Sequence, residues 1–166
     1  VAAKKLGLAN EIIGISRRQS TIEIAHAKEI IDKSSDSLAT LAGNFGEDDL
    51  LVLAVPTLAM KSVLSECQEH VPPSVTITDV ASVKTKIIEF AEQAYSDIPK
   101  NFVPGHPIAG SEKSGINAAN PDLFKDHKVV LTPKELIDQG HINKVSEIWT
   151  RLGADVLFMN ADDHDR

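Results

Sequence analysis

The chain has 166 residues, of which 42% are hydrophobic, 25% charged and only 4% aromatic. That is the composition of one globular domain with a core of Ile, Val, Leu and Ala. The formal charge of −7 argues against a general nucleic-acid surface, which is ordinarily basic, and the single cysteine, Cys67, excludes an internal disulfide or a multi-cysteine metal site.

No apolar run approaches the roughly 20 residues of a membrane span, and the opening VAAKKLGLAN lacks the apolar centre of a signal peptide. A cytoplasmic protein with neither membrane nor nucleic acid as a partner is expected.

In chain order, Val1 to Leu6 reads as the last turn of a helix closed by Gly7. EIIGI (11–15) is a predicted strand, followed by a polar helix from about Thr21 to Ile31. LLVLAV (50–55) leads into TLAMKSVLSECQEHV, which places Leu58, Val63, Leu64 and Cys67 at helical spacing, with Thr57 as a candidate cap. Cys67 reads as a packed thiol. VTITDV (75–80) feeds a helix from Val83 to about Tyr95. NFVPG (101–105) and KVVLT (128–132) are further strands, and a helix from Ile142 to Leu152 ends at Gly153, a left-handed cap. ADVLFM (154–159) is the last strand. In ADDHDR, Asp162 or Asp163 is a candidate helix cap where the chain stops. Both ends thus read as cut, so a fragment of a longer protein is expected.

Short apolar strands alternating with helices imply βαβ crossovers and a doubly wound α/β fold with a mostly parallel, Rossmann-like sheet. Strands that are apolar throughout fit a sheet covered on both faces.

Ligands of such sheets gather at the carboxyl ends of the strands. The first end reads GISRRQS. A dinucleotide fold usually places an acidic residue there to bond the adenosine ribose; Ser16, Arg17 and Arg18 would instead suit a 2′-phosphate, although an arginine pair on a turn is commonly just solvated. The second, LAVPT, closes its strand at Val55 and Pro56. The third is TDVASVK, where Ser82 is a candidate cap for the helix beginning at Val83, its hydroxyl towards the ligand crevice, and Asp79 a turn-former.

The fourth end is VPGHPIAGSEKSG. Pro107 biases His106 towards an extended backbone, Gly105 permits close approach, and an imidazole can take a proton from a hydroxyl near neutral pH. His26, His70, His127 and His141 show no partner pattern. His164, in DDHD, reads as a solvated residue at a helix start rather than a metal ligand, so no metal is expected. No G-x-G-x-x-G occurs, so the loop that would grip a pyrophosphate is not in this chain.

Together, TDVASVK (78–84), GHPIAGSEKSG (105–115), LF (123–124), VVLTP (129–133) and HDR (164–166) resemble the prephenate/arogenate dehydrogenase family in order and spacing over nearly the whole chain. The resemblance implies oxidative decarboxylation of prephenate or arogenate with hydride transfer to NADP or NAD, in tyrosine biosynthesis. Residues 1–160 would be a partial dinucleotide-binding domain lacking its first strand and Gly-rich loop. Residues 161–166 would begin the link to a helical dimerisation domain that makes the homodimer.

By position, the resemblance makes His106 the base on the substrate's ring hydroxyl, with Ser82 supporting that contact beside the nicotinamide. Ser111 and Glu112 would line or gate the substrate pocket. Ser16, Arg17 and Arg18 would choose the cofactor, NADP ahead of NAD, and Val55 and Pro56 would sit against it. Another NAD(P)-dependent dehydrogenase of similar architecture, acting on a hydroxy or imino acid, and a non-catalytic nucleotide-binding fragment are the alternatives.

Overall fold

The computed structural model describes residues 1–109, 116 and 119–166. The chain runs α1 (Ala2–Lys5), β1 (Ile13–Ile15), α2 (Gln19–Ala27), β2 (Lys33–Ser35), a 3-10 turn (Ala39–Leu41), β3 (Leu50–Leu53), α3 (Thr57–His70), β4 (Thr76–Asp79) and α4 (Thr85–Tyr95). It continues through β5 (Phe102–Val103), β6 (Gly105–Ile108), β7 (Lys128–Leu131), α5 (Gln139–Arg151), β8 (Asp155–Phe158) and α6 (Ala161–Asp165).

β3, β4 and β5 pair in parallel, with Leu53 opposite Asp79 and Ile77 opposite Phe102. Past Pro104 the same chain becomes β6, which pairs antiparallel with β7, and β7 pairs in parallel with β8. The segment from Phe102 to Ile108 is thus a seam between two three-stranded pieces, and its second half carries His106. β1 and β2 form a separate parallel pair over a small cluster of Ile22, Ala25 and Ile31. The doubly wound α/β reading is borne out.

All four residues of β4 are buried, because the strand is covered on both faces. The main core joins Met60, Leu64 and Cys67 of α3, Ile87, Ile88 and Ala91 of α4, and Ile142, Val145 and Trp149 of α5 to Val75, Ile77 and Phe102. Trp149 meets Phe124 edge-to-face at 4.9 Å. The Cys67 thiol is buried as expected, and burial, then the Glu66 charge, pushes it up to about 12. Among the described residues no helix is long and apolar enough to cross a membrane.

Several local expectations are corrected. α2 ends at Ala27, where Glu29 turns the chain through a positive φ of 53° into β2. The polar sequence KSS carries no apolar alternation that would have disclosed that strand. Thr57 is the first helical residue of α3 rather than its cap, the N-cap position being Pro56. α6 is capped by Asn160, whose side-chain oxygen accepts from the Asp163 N–H at 2.7 Å, and not by Asp162 or Asp163. Gly153 does close α5, at φ 89°: its N–H donates to Thr150 and that of Ala154 to Trp149, the paired bonds of a Schellman cap. His141 has a partner after all, its Nδ1 lying 2.7 Å from Thr76 Oγ1.

Candidate functional site

The carboxyl end of β4 carries Asp79, and both it and Lys84 are fully buried. The Asp79 carboxylate accepts from the N–H groups of Ala81 (2.9 Å) and Gly105 (3.1 Å), and from the Lys84 ammonium. Lys84 also donates to the Gly105 carbonyl at 2.7 Å. Two charges five residues apart in sequence therefore clasp both polar groups of the residue preceding His106. Burial pushes the Asp79 carboxyl up and the Lys84 amine down, and each charge is the main force opposing the other's neutralisation. Asp79 thus does far more than form a turn. The sequence signal was available: a lysine five residues after a carboxylate, within one strand-to-helix connection.

Gly105 is needed for this close approach. A Cβ there would stand 3.1 Å from Leu131 Cδ2 and 3.2 Å from the Asp79 carbonyl oxygen. Gly105→Ala is expected to cost about 1–3 kcal/mol, as overpacking in a core does. Chemical denaturation measures it, and an unchanged midpoint would contradict the tight contact.

His106 follows on β6, half-buried. Its Nδ1 lies 2.9 Å from Nε2 of His164, and the two rings meet edge-to-face at 5.0 Å. His164 Nδ1 is 2.7 Å from Asp165 Oδ1. The same carboxylate accepts the N–H groups of Lys84 and Thr85, each at 2.8 Å, and so caps α4 from outside. Burial works against its ionisation, but those N–H groups and the His164 ring hold the Asp165 carboxyl well below the usual range. Burial, then the neighbouring His164 and Lys84, lower the His106 imidazole, while Asp165 acts the other way.

Two sequence expectations are overturned here. Ser82 does not cap α4, since the helix begins at Thr85 and its leading N–H groups point to Asp165; Ser82 is exposed on the β4–α4 loop. His164 is not a solvated residue, for its side chain is only 6% exposed. Both follow from α6 folding back on α4, a contact between residues about 80 apart that local pattern cannot reveal.

The turn after β1 is orderly. The Ser16 hydroxyl accepts from the Arg18 N–H at 3.1 Å, while Arg17 reaches Glu66 on α3 at 2.8 Å. Arg18 is exposed at the N-cap position of α2. Val55 is half-buried and Pro56 exposed between β3 and α3, and the neighbouring Leu58 is 96% exposed. Ser111 and Glu112 lie outside the described residues.

A nicotinamide dinucleotide needs cations or hydroxyls for its adenosine phosphate and apolar surface for its rings. Exposed guanidinium groups beside Ser16, and Val55, Pro56 and Leu58 at the next strand end, supply those chemistries. The donor set fits.

The family model for the nucleotide-binding domain of prephenate dehydrogenase matches residues 1–158. The chain belongs to that family.

Its relatives include the prephenate dehydrogenase of Lactococcus lactis subsp. cremoris, 33% identical over 157 residues, covering 94% of this chain and 41% of that protein. The cyclohexadienyl dehydrogenase of Zymomonas mobilis is 34% identical over 120 residues, covering 72% and 40%. Among solved structures, prephenate dehydrogenase from A. aeolicus in complex with hydroxyphenyl propionate and NAD+ superposes with a TM-score of 0.87 at 30% identity, over 98% of this chain and 55% of that one. Synechocystis arogenate dehydrogenase gives 0.84 at 32%, over 98% and 56%. The chain spans about two fifths of the length of the curated relatives it matches. The family's nucleotide-binding fold therefore applies to this chain.

Proposed function

We propose that this chain is the nucleotide-binding part of an enzyme that oxidatively decarboxylates prephenate or arogenate, in tyrosine biosynthesis. The observation that carries the reading is His106: a half-buried imidazole with a lowered proton affinity, on a strand whose first residue is clasped by a buried ion pair. Bound NAD(P) would supply the hydride acceptor. His106 takes the proton of the ring hydroxyl as the carbon bearing it gives up hydride, and that carbon becomes a ketone. The ring carboxylate then leaves as carbon dioxide. Its bonding electrons enter the ring, which becomes aromatic as the former ketone oxygen takes back a proton.

Ser82 supports the base from the adjoining loop, and Ser111 and Glu112 line or gate the pocket. Val55 and Pro56 face the cofactor's rings. Residues 161–166 open the connection to a helical dimerisation domain, a reading supported by the greater length of the relatives. The homodimer is formed through that domain, and the enzyme works in the cytoplasm.

Ser16, Arg17 and Arg18 hold a 2′-phosphate, which makes NADP the preferred cofactor. Arg17→Ala and Arg18→Ala are each expected to weaken NADP binding about 10- to 100-fold, the worth of one charged hydrogen bond, and to leave NAD binding nearly unchanged. Titration calorimetry measures both, and equal losses for the two nucleotides would refute the assignment.

The defining experiment follows nicotinamide reduction by the full-length protein with prephenate and with arogenate, each with NAD and with NADP. Turnover of either substrate supports the activity. Tight nucleotide binding without turnover of either would replace it with a non-catalytic nucleotide-binding role. Turnover of a hydroxy or imino acid instead would point to another dehydrogenase of this architecture.

A further inference from the structure

The hydrogen bonds behind His106 run in one direction. Asp165 takes N–H groups from Lys84 and Thr85, which only an acceptor can do, and an ionised carboxylate has no proton to give. The contact at 2.7 Å is therefore donated by His164 Nδ1–H. A neutral His164 then carries its lone pair on Nε2, and the contact at 2.9 Å is donated by His106 Nδ1–H. This leaves the lone pair of His106 on Nε2, the nitrogen that makes no hydrogen bond among the described residues.

We propose that His164 and Asp165 are positioning residues that hold His106 in the tautomer whose free Nε2 can take a proton. The inference rests on the reading of His106 as the base and adds what prepares it. When Nε2 gains the proton, His106 becomes an imidazolium whose Nδ1–H still faces the His164 lone pair, with the Asp165 carboxylate beyond it. Burial, His164 and Lys84 oppose that gain and the Asp165 carboxylate favours it, so the carboxylate partly offsets its neighbours. The carboxylate that caps α4 thus orients the reacting group of β6, and the order of α6 becomes a condition for the base.

The test reads the tautomer directly, by nitrogen-15 NMR of histidine-labelled protein, apart from any assay of turnover. His164→Leu removes the acceptor for His106 Nδ1–H, His164→Gln offers a carbonyl oxygen in its place, and both leave the Asp165 cap on α4 intact. In the unsubstituted protein, His106 is expected to show a protonated Nδ1 and a bare Nε2. The glutamine variant should keep this pattern, and the leucine variant should shift the proton to Nε2. In the full-length enzyme the leucine variant is expected to lose about 10- to 100-fold in kcat at similar KM, as supporting-shell substitutions do, and the glutamine variant to recover most of it. A protonated Nε2 in the unsubstituted protein, or an unchanged tautomer in the leucine variant, would overturn the inference. Loss of the expected substrates with the tautomer pattern intact would remove the dehydrogenase reading and leave the positioning inference standing.

Discussion

Replacing His106 by asparagine is expected to lower turnover of the full-length enzyme by about 10²- to 10⁴-fold, the usual worth of a general base. Cofactor affinity should stay close to its original value, because the turn at Ser16 to Arg18, proposed above to hold the cofactor, is on another strand end. The asparagine amide can still donate to His164 Nε2 from the Nδ1 position, so the scaffold behind the base survives while the proton acceptor is gone.

The pH dependence follows from the same surroundings. Burial, His164 and Lys84 lower the proton affinity of His106, and Asp165 only partly restores it. A lowered value means that the neutral imidazole persists to more acidic pH than in a free histidine. The acid limb of kcat/KM should therefore have its midpoint below about 6.5, with activity lost as pH falls through it. Steady-state rates between mildly acidic and neutral pH decide this. An acid limb centred above the ordinary histidine value, or asparagine turnover equal to wild type, would exclude His106 as the base.

The second large effect concerns the Asp79–Lys84 pair, and it is one of folding. Lys84→Met is expected to destabilise the protein by about 3–5 kcal/mol, since it leaves a fully buried carboxylate without its counter-charge. Asp79→Asn should cost less, because an amide oxygen can still accept one of the N–H groups of Ala81 and Gly105. The double replacement Asp79→Leu with Lys84→Met should be less damaging than Lys84→Met alone, as no lone charge remains. Denaturant melts of the three variants provide the comparison. If Lys84→Met unfolded at the wild-type midpoint, the pair would not be bearing on the fold at all. Because the pair grips both polar groups of Gly105, the surviving folded fraction of Lys84→Met should also show a misplaced His106 and reduced kcat.

The amino-acid sequence by itself determined the alternation of strands and helices. The apolar run KVVL and the helical spacing of Met60, Leu64 and Cys67 report burial directly. The apolar runs LLVL and DVLF form strands that are only partly covered, Phe158 staying 54% exposed. It also singled out His106, since a histidine between Gly105 and Pro107 at a strand end has an uncommon local setting. Strand β2 was not legible, because an exposed polar strand has no apolar periodicity; the strand read at 101–105 was not carried on to Ile108, because the pairing of β6 with β7 depends on partners 20 or more residues away. The machinery behind His106 was decided by tertiary structure alone. Ser82 stood where a helix cap ordinarily stands and His164 stood among acidic residues, so local rules assigned one to capping and the other to solvent. Only the packing of α6 on α4 places Asp165 on the helix end and His164 on His106, and that packing couples residues about 80 positions apart. Local patterns record what each segment buries; which distant segment arrives to satisfy a polar group is set by the fold as a whole.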